Sequence, residues 1–343
     1  MKQHLNTLFV TTQGAYLARQ GESVLVRVQK QTRLQVPVHN LGGIVCFGRV
    51  GASPSLMGLC GERGVGISFM SRQGRFLARV SGFTSGNVLL RRQQYRAADD
   101  PGHCAAIARA MVLGKIANSR QVLLRGTRDY PQSPGAAALQ QAANRLGQSL
   151  HCCPPNTELD RVRGIEGECA AEYFAAFDHL ITAQKQSFSF RQRSRRPPLD
   201  PINALLSFLY ALLTADARCA CEAVGLDPAV GFLHRDRPGR PGLALDLMEE
   251  LRPVLADRLA LSLINRRQIS PDGFVVAETA AVSMDDNTRR AVLVAYQKRK
   301  QEQISHPFLN EKVSVGLILH LQALLLARHL RGDLDAYPPF IWQ

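Results

Sequence analysis

The chain has 343 residues, 45% hydrophobic and 20% charged, a balance ordinary for a globular protein and too long for one small core, so two domains are expected. Lys plus Arg number 42 against 28 Asp plus Glu, a formal charge of +14, which makes polyanions, nucleic acid first, the expected partners. The eight cysteines include neighbours at 152–153 and a C-x-C at 219–221 but no pair of C-x-x-C spacings, which argues against a zinc ribbon and for buried or incidental thiols in a reducing cytosol.

Arginine makes up 35 of the 42 basic residues, and guanidinium forks grip phosphate oxygens bidentately. The opening MKQHLNTLFVTTQG gives a short strand-like run without a cleavage pattern, so the protein is expected in the cytoplasm. From residue 5 to about 80, runs such as LFVTT, SVLVRV, GGIVCF, GISFM and RFLARV, separated by Gly, Asn and Pro, predict strands, with one helix at SLMGLCGERG. Residues 1–90 hold ten Lys or Arg against only Glu22 and Glu62.

The stretch 82–102, GFTSGNVLLRRQQYRAADDPG, changes composition and carries Gly and Pro, so it is expected as a linker. The expected division is a β-rich domain over 1–85, a linker over 86–100 and a helical domain over 101–343. Helical periodicity follows in ARAMVLGKIANSRQVLLRG, EGECAAEYFAAFDHL, PINALLSFLYALLTADARCACEAVG, ALDLMEELRPVLADRLALSLINRR and DDNTRRAVLVAYQKRKQEQI. Pro253 removes a backbone donor and should bend its helix just past Glu249. The late apolar stretch 313–330 nearly reaches membrane-spanning length, but His320, Gln322, Arg328 and His329 interrupt it; a buried helix and no membrane contact are expected.

In RGIEGECAAEYFAAF, at about 3.6 residues per turn, Glu166 shares a face with Cys169, Ala170, Tyr173 and Phe177, while Glu168 points away. A carboxylate on that stripe needs a cationic partner, unless Glu166 lies in a solvated first turn. Gly167 beside it implies a close approach or a helix start. In LHRDRPGRPGLALDLMEEL, Asp246 and Glu249 lie three apart on one helical face, and His234 opens an arginine loop containing Arg235 and Arg240. A solvated acidic face, an internal salt bridge or a metal site each accounts for these acids. Oxygen ligands with one imidazole suit Mg²⁺ or Mn²⁺, ions that act on phosphodiesters.

Residues 185–196 interleave Phe188 and Phe190 with Lys185, Arg191, Arg193, Arg195 and Arg196, a pattern of surfaces that track a strand and stack bases, or of a solvated linker. Asn203 in the apolar helix that follows should be hydrogen-bonded in the core or turned to the site. Lys115, Asn118 and Arg120 form a polar helical face that reaches DNA or solvent.

The set GIEGECAAEYF, RRPPLDPINALLSFLYALL and GLDPAVGFLHRDRPGRPGLALDLMEELRP, with DGFVVAETAAVSMDD and AYQKRKQEQISHPFL, resembles CRISPR-associated protein one, the integrase of CRISPR adaptation, over nearly the whole chain. The resemblance implies an α+β chain: a small N-terminal β-sandwich-like domain followed by a larger all-α domain. By motif, it makes Glu166, His234 and Glu249 the catalytic ligands of Mg²⁺ or Mn²⁺ and Asp246 an auxiliary acid; position 249 is often aspartate in the family. It also implies a homodimer, a hetero-complex with the second CRISPR adaptation protein, which is small and ferredoxin-like, and double-stranded DNA as substrate. The style of the sequence is closest to subtype I-C. The implied reaction is attack of a DNA 3′ hydroxyl on a phosphodiester, with endonuclease activity when water attacks instead. Lys115, Arg191, Arg193, Arg196, Arg235 and Arg240 are the expected DNA contacts. The rivals are a non-catalytic DNA scaffold, whose acids pair with Arg235 or Arg258, and an RNA-processing nuclease.

Overall fold

The computed structural model describes residues 6–82 and 87–342. The N-terminal strands are β1 (Asn6–Val10), β2 (Tyr16–Gln20), β3 (Ser23–Val28), β4 (Gln31–Pro37), β5 (Leu41–Phe47), β6 (Gly51–Ala52), β7 (Gly66–Met70) and β8 (Phe76–Val80), with helix α1 (Pro54–Glu62) capped by Ser53. They form two four-stranded sheets, ordered β1-β5-β7-β8 and β4-β3-β2-β6. Parallel pairing of β1, β5 and β7 buries β5 on both faces, which is why LGGIVCF reads as an apolar run while the edge strand β4 is mostly exposed. The sheets and α1 enclose their own apolar core around Leu17, Ile44, Leu56 and Ile67.

The helical domain contains α2 (Val88–Asp99), α3 (Pro101–Asp129), α4 (Ala136–His151), α5 (Leu159–Ala176), α6 (Pro201–Val224), α7 (Gly242–Glu249), α8 (Arg258–Asn265), α9 (Asp286–Gln301) and α10 (Ile318–Leu330). The domain also holds two short hairpins that the helical periodicity did not predict: β9 (Phe274–Val276) with β10 (Val282–Met284), and β11 (Gln303–Ser305) with β12 (Lys312–Ser314). Long α6 lies at the centre, started by the Asp200 cap and Pro201 and stopped by Gly225 at φ 89°. By length and composition α6 is apolar enough to cross a bilayer, with a mean hydropathy of 1.4, but twelve of its residues are buried by the surrounding helices.

The expected linker is corrected: α2 fills Val88–Asp99, and the boundary at 85/86 lies outside the described residues. RRQQYRAAD hides a narrow buried stripe of Leu90, Gln94 and Ala97, and buried Gln94 bonds the Asp227 and Val230 carbonyls and the Asp227 amide. Asp100 then caps α3, so the two helices follow without a flexible joint.

The bend at Pro253 takes the form of a π-helical turn over Arg252–Asp257, between α7 and α8. Phe188 and Phe190 are corrected as well: both are buried in the core, Phe190 against Phe174 and Phe177 and Phe188 edge-on to Phe274. Their alternation with polar residues turns the rings inward and leaves Arg191 and Arg196 exposed. Val45, Phe47 and Met70 of the sheets belong to the helical domain's core, where Phe47 meets Phe208 at 5.6 Å.

Candidate active site

Two separated stretches, α5 and the segment from Gly231 to Arg252, converge with one long helix, α3, inside the helical domain. Glu166 sits two turns into α5, not in its first turn, on the expected stripe: Cys169, Tyr173 and Phe177 are buried and Glu168 faces solvent. Gly167 has open space where a Cβ would stand, so no close approach explains it. The cationic partner is Lys115 of α3, whose Nζ hydrogen-bonds Glu166 Oε1 and lies 2.7 Å from Glu249 Oε2. That second contact is an ion pair by distance but lacks hydrogen-bond geometry, so buried Glu249 Oε2 accepts no hydrogen bond. Lys115 therefore faces the acids rather than solvent, which corrects its assignment to an exposed DNA-contacting face.

Arg252, in the first turn after α7, places Nη1 2.9 Å from Glu249 Oε1 and its guanidinium over the Tyr210 ring. Burial pushes the Glu249 carboxyl up, but Arg252, Lys115 and His234 outweigh it and hold the pKa down at about 2. Burial likewise opposes the Lys115 ammonium, and Glu249 and Glu166 keep its pKa above the ordinary value. An isolated charge buried this deeply would cost several kcal/mol, so each of these ions depends on the others.

His234 stands at the edge of the cluster, with Nε2 3.9 Å from Glu249 Oε1. Asp246 holds it: Oδ1 accepts from the His234 backbone N–H at 3.0 Å and pairs with Nδ1 at 2.6 Å, and Oδ2 accepts from the amides of Phe232 and Leu233. Four partners occupy both oxygens, so fully buried Asp246 orients the imidazole and turns Nε2 toward Glu249. A Cβ on Gly231 would lie 2.5 Å from Asp246 Oδ2, so only glycine lets the loop pass this close. Arg163, one turn before Glu166 on α5, donates to the Leu233 carbonyl and ties the histidine loop to α5.

Below the cluster, buried Asp257 accepts hydrogen bonds from Tyr210 at 2.6 Å and Tyr173 at 3.1 Å, joining α6 and α5. The sequence reading did not single out Arg252, Tyr173, Tyr210 or Asp257 for the site. Tyr173, on the same helical stripe as Glu166, was the available signal. Arg193 is turned inward, bonding the Asn203 and Ser207 side chains beside Tyr210, which corrects its assignment as a DNA contact. Asn203 is buried and hydrogen-bonded in the core. Arg235 pairs with Asp160 and Arg258 stacks on Trp342, so neither neutralises the site acids as the scaffold rival requires. Partial burial lowers the pKa of Arg240, and its neighbours Arg237, Arg195 and Arg196 add to the effect.

Among the described residues no three His, Cys, Asp or Glu side chains stand in ready-made metal geometry, the carboxylates being engaged by Lys115 and Arg252. The donor chemistry nevertheless suits a hard divalent cation: two carboxylates that share Lys115 and an imidazole nitrogen turned toward Glu249 by Asp246.

A β-sheet domain followed by a helical domain is a two-domain architecture found in solved structures. The chain superposes on a CAS1 protein from Thermotoga maritima with TM-score 0.78 and 22% identity, covering 95% of this chain and 97% of that one. It superposes on a casposase bound to integration product with TM-score 0.81 and 21% identity, covering 97% and 93%. The family model for CRISPR associated protein Cas1 matches residues 8–298, and the chain belongs to that family. It is 52% identical to CRISPR-associated endonuclease Cas1 1 of Chlorobaculum tepidum and 53% identical to CRISPR-associated endonuclease Cas1 2 of Rhodospirillum rubrum, each over the full length of both chains.

Asp257 supplies a pH test of this packing. Burial pushes its carboxyl up to about 6 against the Tyr210 and Tyr173 hydrogen bonds, so its contribution to stability is full below the ordinary value of 3.8 and is lost as pH rises through about 6. In urea titrations, the stability of wild type relative to Asp257→Asn should fall by about 1.4 kcal/mol per pH unit across that window and then level off. A constant difference would mean that the carboxyl titrates normally.

Proposed function

We propose that the protein is a divalent-metal-dependent DNA integrase and endonuclease of CRISPR adaptation, inserting short foreign DNA into the CRISPR array. The observation that carries this reading is the convergence of Glu166, from α5, with His234 and Glu249, from a second, distant stretch, on one buried cluster around Lys115. Glu166, His234 and Glu249 would hold Mg²⁺ or Mn²⁺, and the ion, when bound, polarises the phosphoryl oxygen and stabilises charge in the transition state.

In the reaction the 3′ oxygen of the captured strand forms a bond to phosphorus and gives up its proton. The existing bond from phosphorus to the neighbouring 3′ oxygen breaks, and that oxygen takes up a proton as the new 3′ hydroxyl. The number of phosphodiesters is unchanged, and water in place of the hydroxyl gives hydrolysis. Asp246 keeps the imidazole aimed, and Arg252 keeps Glu249 ionised. Lys115 neutralises the two carboxylates and would compete with the ion for them. Exposed Arg191, Arg196 and Arg235, with Arg240, would hold the DNA backbone in line.

The partners follow from the relatives. A solved Cas6-RT-Cas1–Cas2 complex contains a region on which this chain superposes with TM-score 0.82 and 23% identity, covering 98% of this chain and 36% of that one. That likeness supports work with the second adaptation protein, and the sequence resemblance adds a homodimer acting on double-stranded DNA in the cytoplasm. The style of the sequence favours subtype I-C.

Glu166→Ala, His234→Ala and Glu249→Ala should each lower integration of labelled prespacer into a CRISPR plasmid by at least about a thousandfold while duplex binding persists. Full activity in any one of them removes that residue from the reaction. Duplex affinity of the wild type should drop roughly a thousandfold between 50 and 200 mM salt, as several phosphate contacts require; a salt-independent constant would assign the excess charge elsewhere. Because Lys115 competes with the ion for the carboxylates, Lys115→Met should lower the Mn²⁺ concentration for half-maximal thermal stabilisation about tenfold. Unchanged or weaker Mn²⁺ stabilisation would contradict that competition.

A further inference from the structure

The last residues of the chain do not trail over the surface. Residues 337–342 thread between α3, the end of α7 and α10, and three fully buried polar side chains face them: Asn118, Glu250 and Gln322. Asn118 Nδ2 donates to the Glu250 carbonyl at 2.7 Å and to the Phe340 carbonyl at 2.8 Å, and its Oδ1 accepts from the Trp342 backbone N–H at 2.7 Å. The Glu250 carboxyl accepts from the Tyr337 hydroxyl and the Phe340 amide, each at 2.7 Å, and from Gln322 Nε2 at 3.0 Å. Gln322 also donates to the Tyr337 oxygen and the Pro338 carbonyl. Trp342 closes the series, with the guanidinium groups of Arg258 and Arg299 5.2 and 5.3 Å from its ring.

These contacts are coupled to the site by covalent neighbours. Asn118 follows Lys115 by one helical turn on α3, and Glu250 follows Glu249 directly. α3 and the end of α7 are thereby joined by two rungs: Lys115 to Glu249, and Asn118 to the Glu250 carbonyl. The tail is bonded to the second rung from both sides. A Cβ on Gly114, next to Lys115, would lie 3.0 Å from Pro339 Cβ and 3.3 Å from Glu250 Cγ, so the three segments are in direct contact. Apolar packing alone would hold a tail with less register; buried polar groups that must each find a partner select one seating.

We infer that residues 337–342 act as a clamp that sets the separation of Lys115 and Glu249, with Asn118, Glu250 and Gln322 as positioning residues. The inference rests on the proposed function for the meaning of that separation. Without the tail, Asn118 and Glu250 lose most of their partners, the second rung loosens, and the Glu249 carboxylate leaves its working position while the proposed DNA-contacting arginines, Arg196, Arg235 and Arg240, are untouched.

The test uses the full chain and three variants: Asn118→Ala, Trp342→Ala and a chain ending at Ala336. Trp342 is the single tryptophan, so its emission reports whether the tail is seated. Asn118→Ala should shift that emission to the red. All three variants should lose roughly ten- to a hundredfold in kcat for strand transfer, with KM and duplex affinity within about twofold of wild type. A synthetic peptide of residues 333–343 should return kcat to the shortened chain. Urea denaturation identifies any variant that fails to fold, and Trp342→Ala, altered at a partly exposed side chain, keeps the comparison available. Wild-type kcat in Trp342→Ala together with wild-type kcat in a red-shifted Asn118→Ala would overturn the clamp alone. Absence of strand transfer in the wild type overturns the proposed function and the clamp together.

Discussion

The Glu249 carboxylate is 2% exposed and ionised, and most of the site can be understood as what keeps it so. Removing a carboxylate from water costs several kcal/mol even after relaxation, and only cations held at contact distance offset that. Arg252 is delivered by the break after α7 and Lys115 by α3, while His234 is carried to the cluster's edge by a loop gathered onto Asp246. Each of those elements is pinned in turn: Arg163 holds the loop, Gln94 holds the segment before it, and the Asp257–tyrosine pair holds α5 against α6.

Consecutive residues here meet opposite environments. Glu249 and Glu250 are both fully enclosed, yet the first is drawn down to about 2 by cations and the second is pushed up to about 8 by burial, countered only by the hydrogen bonds of Phe340, Tyr337 and Gln322. One carboxyl is kept as an anion for the site and its neighbour is used as a largely neutral structural group. The turn at the end of α7 separates them, sending one side chain toward Lys115 and the other toward the tail.

Legibility in the sequence followed the range of the interactions. The Glu166–Cys169–Tyr173 stripe was readable because helical periodicity is local, and the bend at Pro253 because a missing amide is a property of one residue. The β-rich start was readable from alternation. Lys115 was not, since a lysine among apolar residues looks the same whether it points to water or to two acids brought in from elsewhere. α2 was hidden because its buried face is only three residues wide among arginines and glutamines. Phe188 and Phe190 were misread because rings alternating with arginines suit a base-stacking surface and a buried strand-like segment equally well. The tail contacts join residues up to more than two hundred positions apart, as with Asn118 and Phe340, and leave no periodic trace.

Phe47 reaches from the first sheet into the helical core and rests on Phe208, two residues before Tyr210 on α6, and the turn after β7 also closes on Phe208, where a Cβ on Gly74 would lie 2.7 Å from the ring. The sheets and the acid cluster therefore lean on the same helix, α6, at positions two residues apart. A substitution at Phe47 or Gly74 that shifts Phe208 acts on the helix that carries Tyr210 beneath the Arg252 guanidinium.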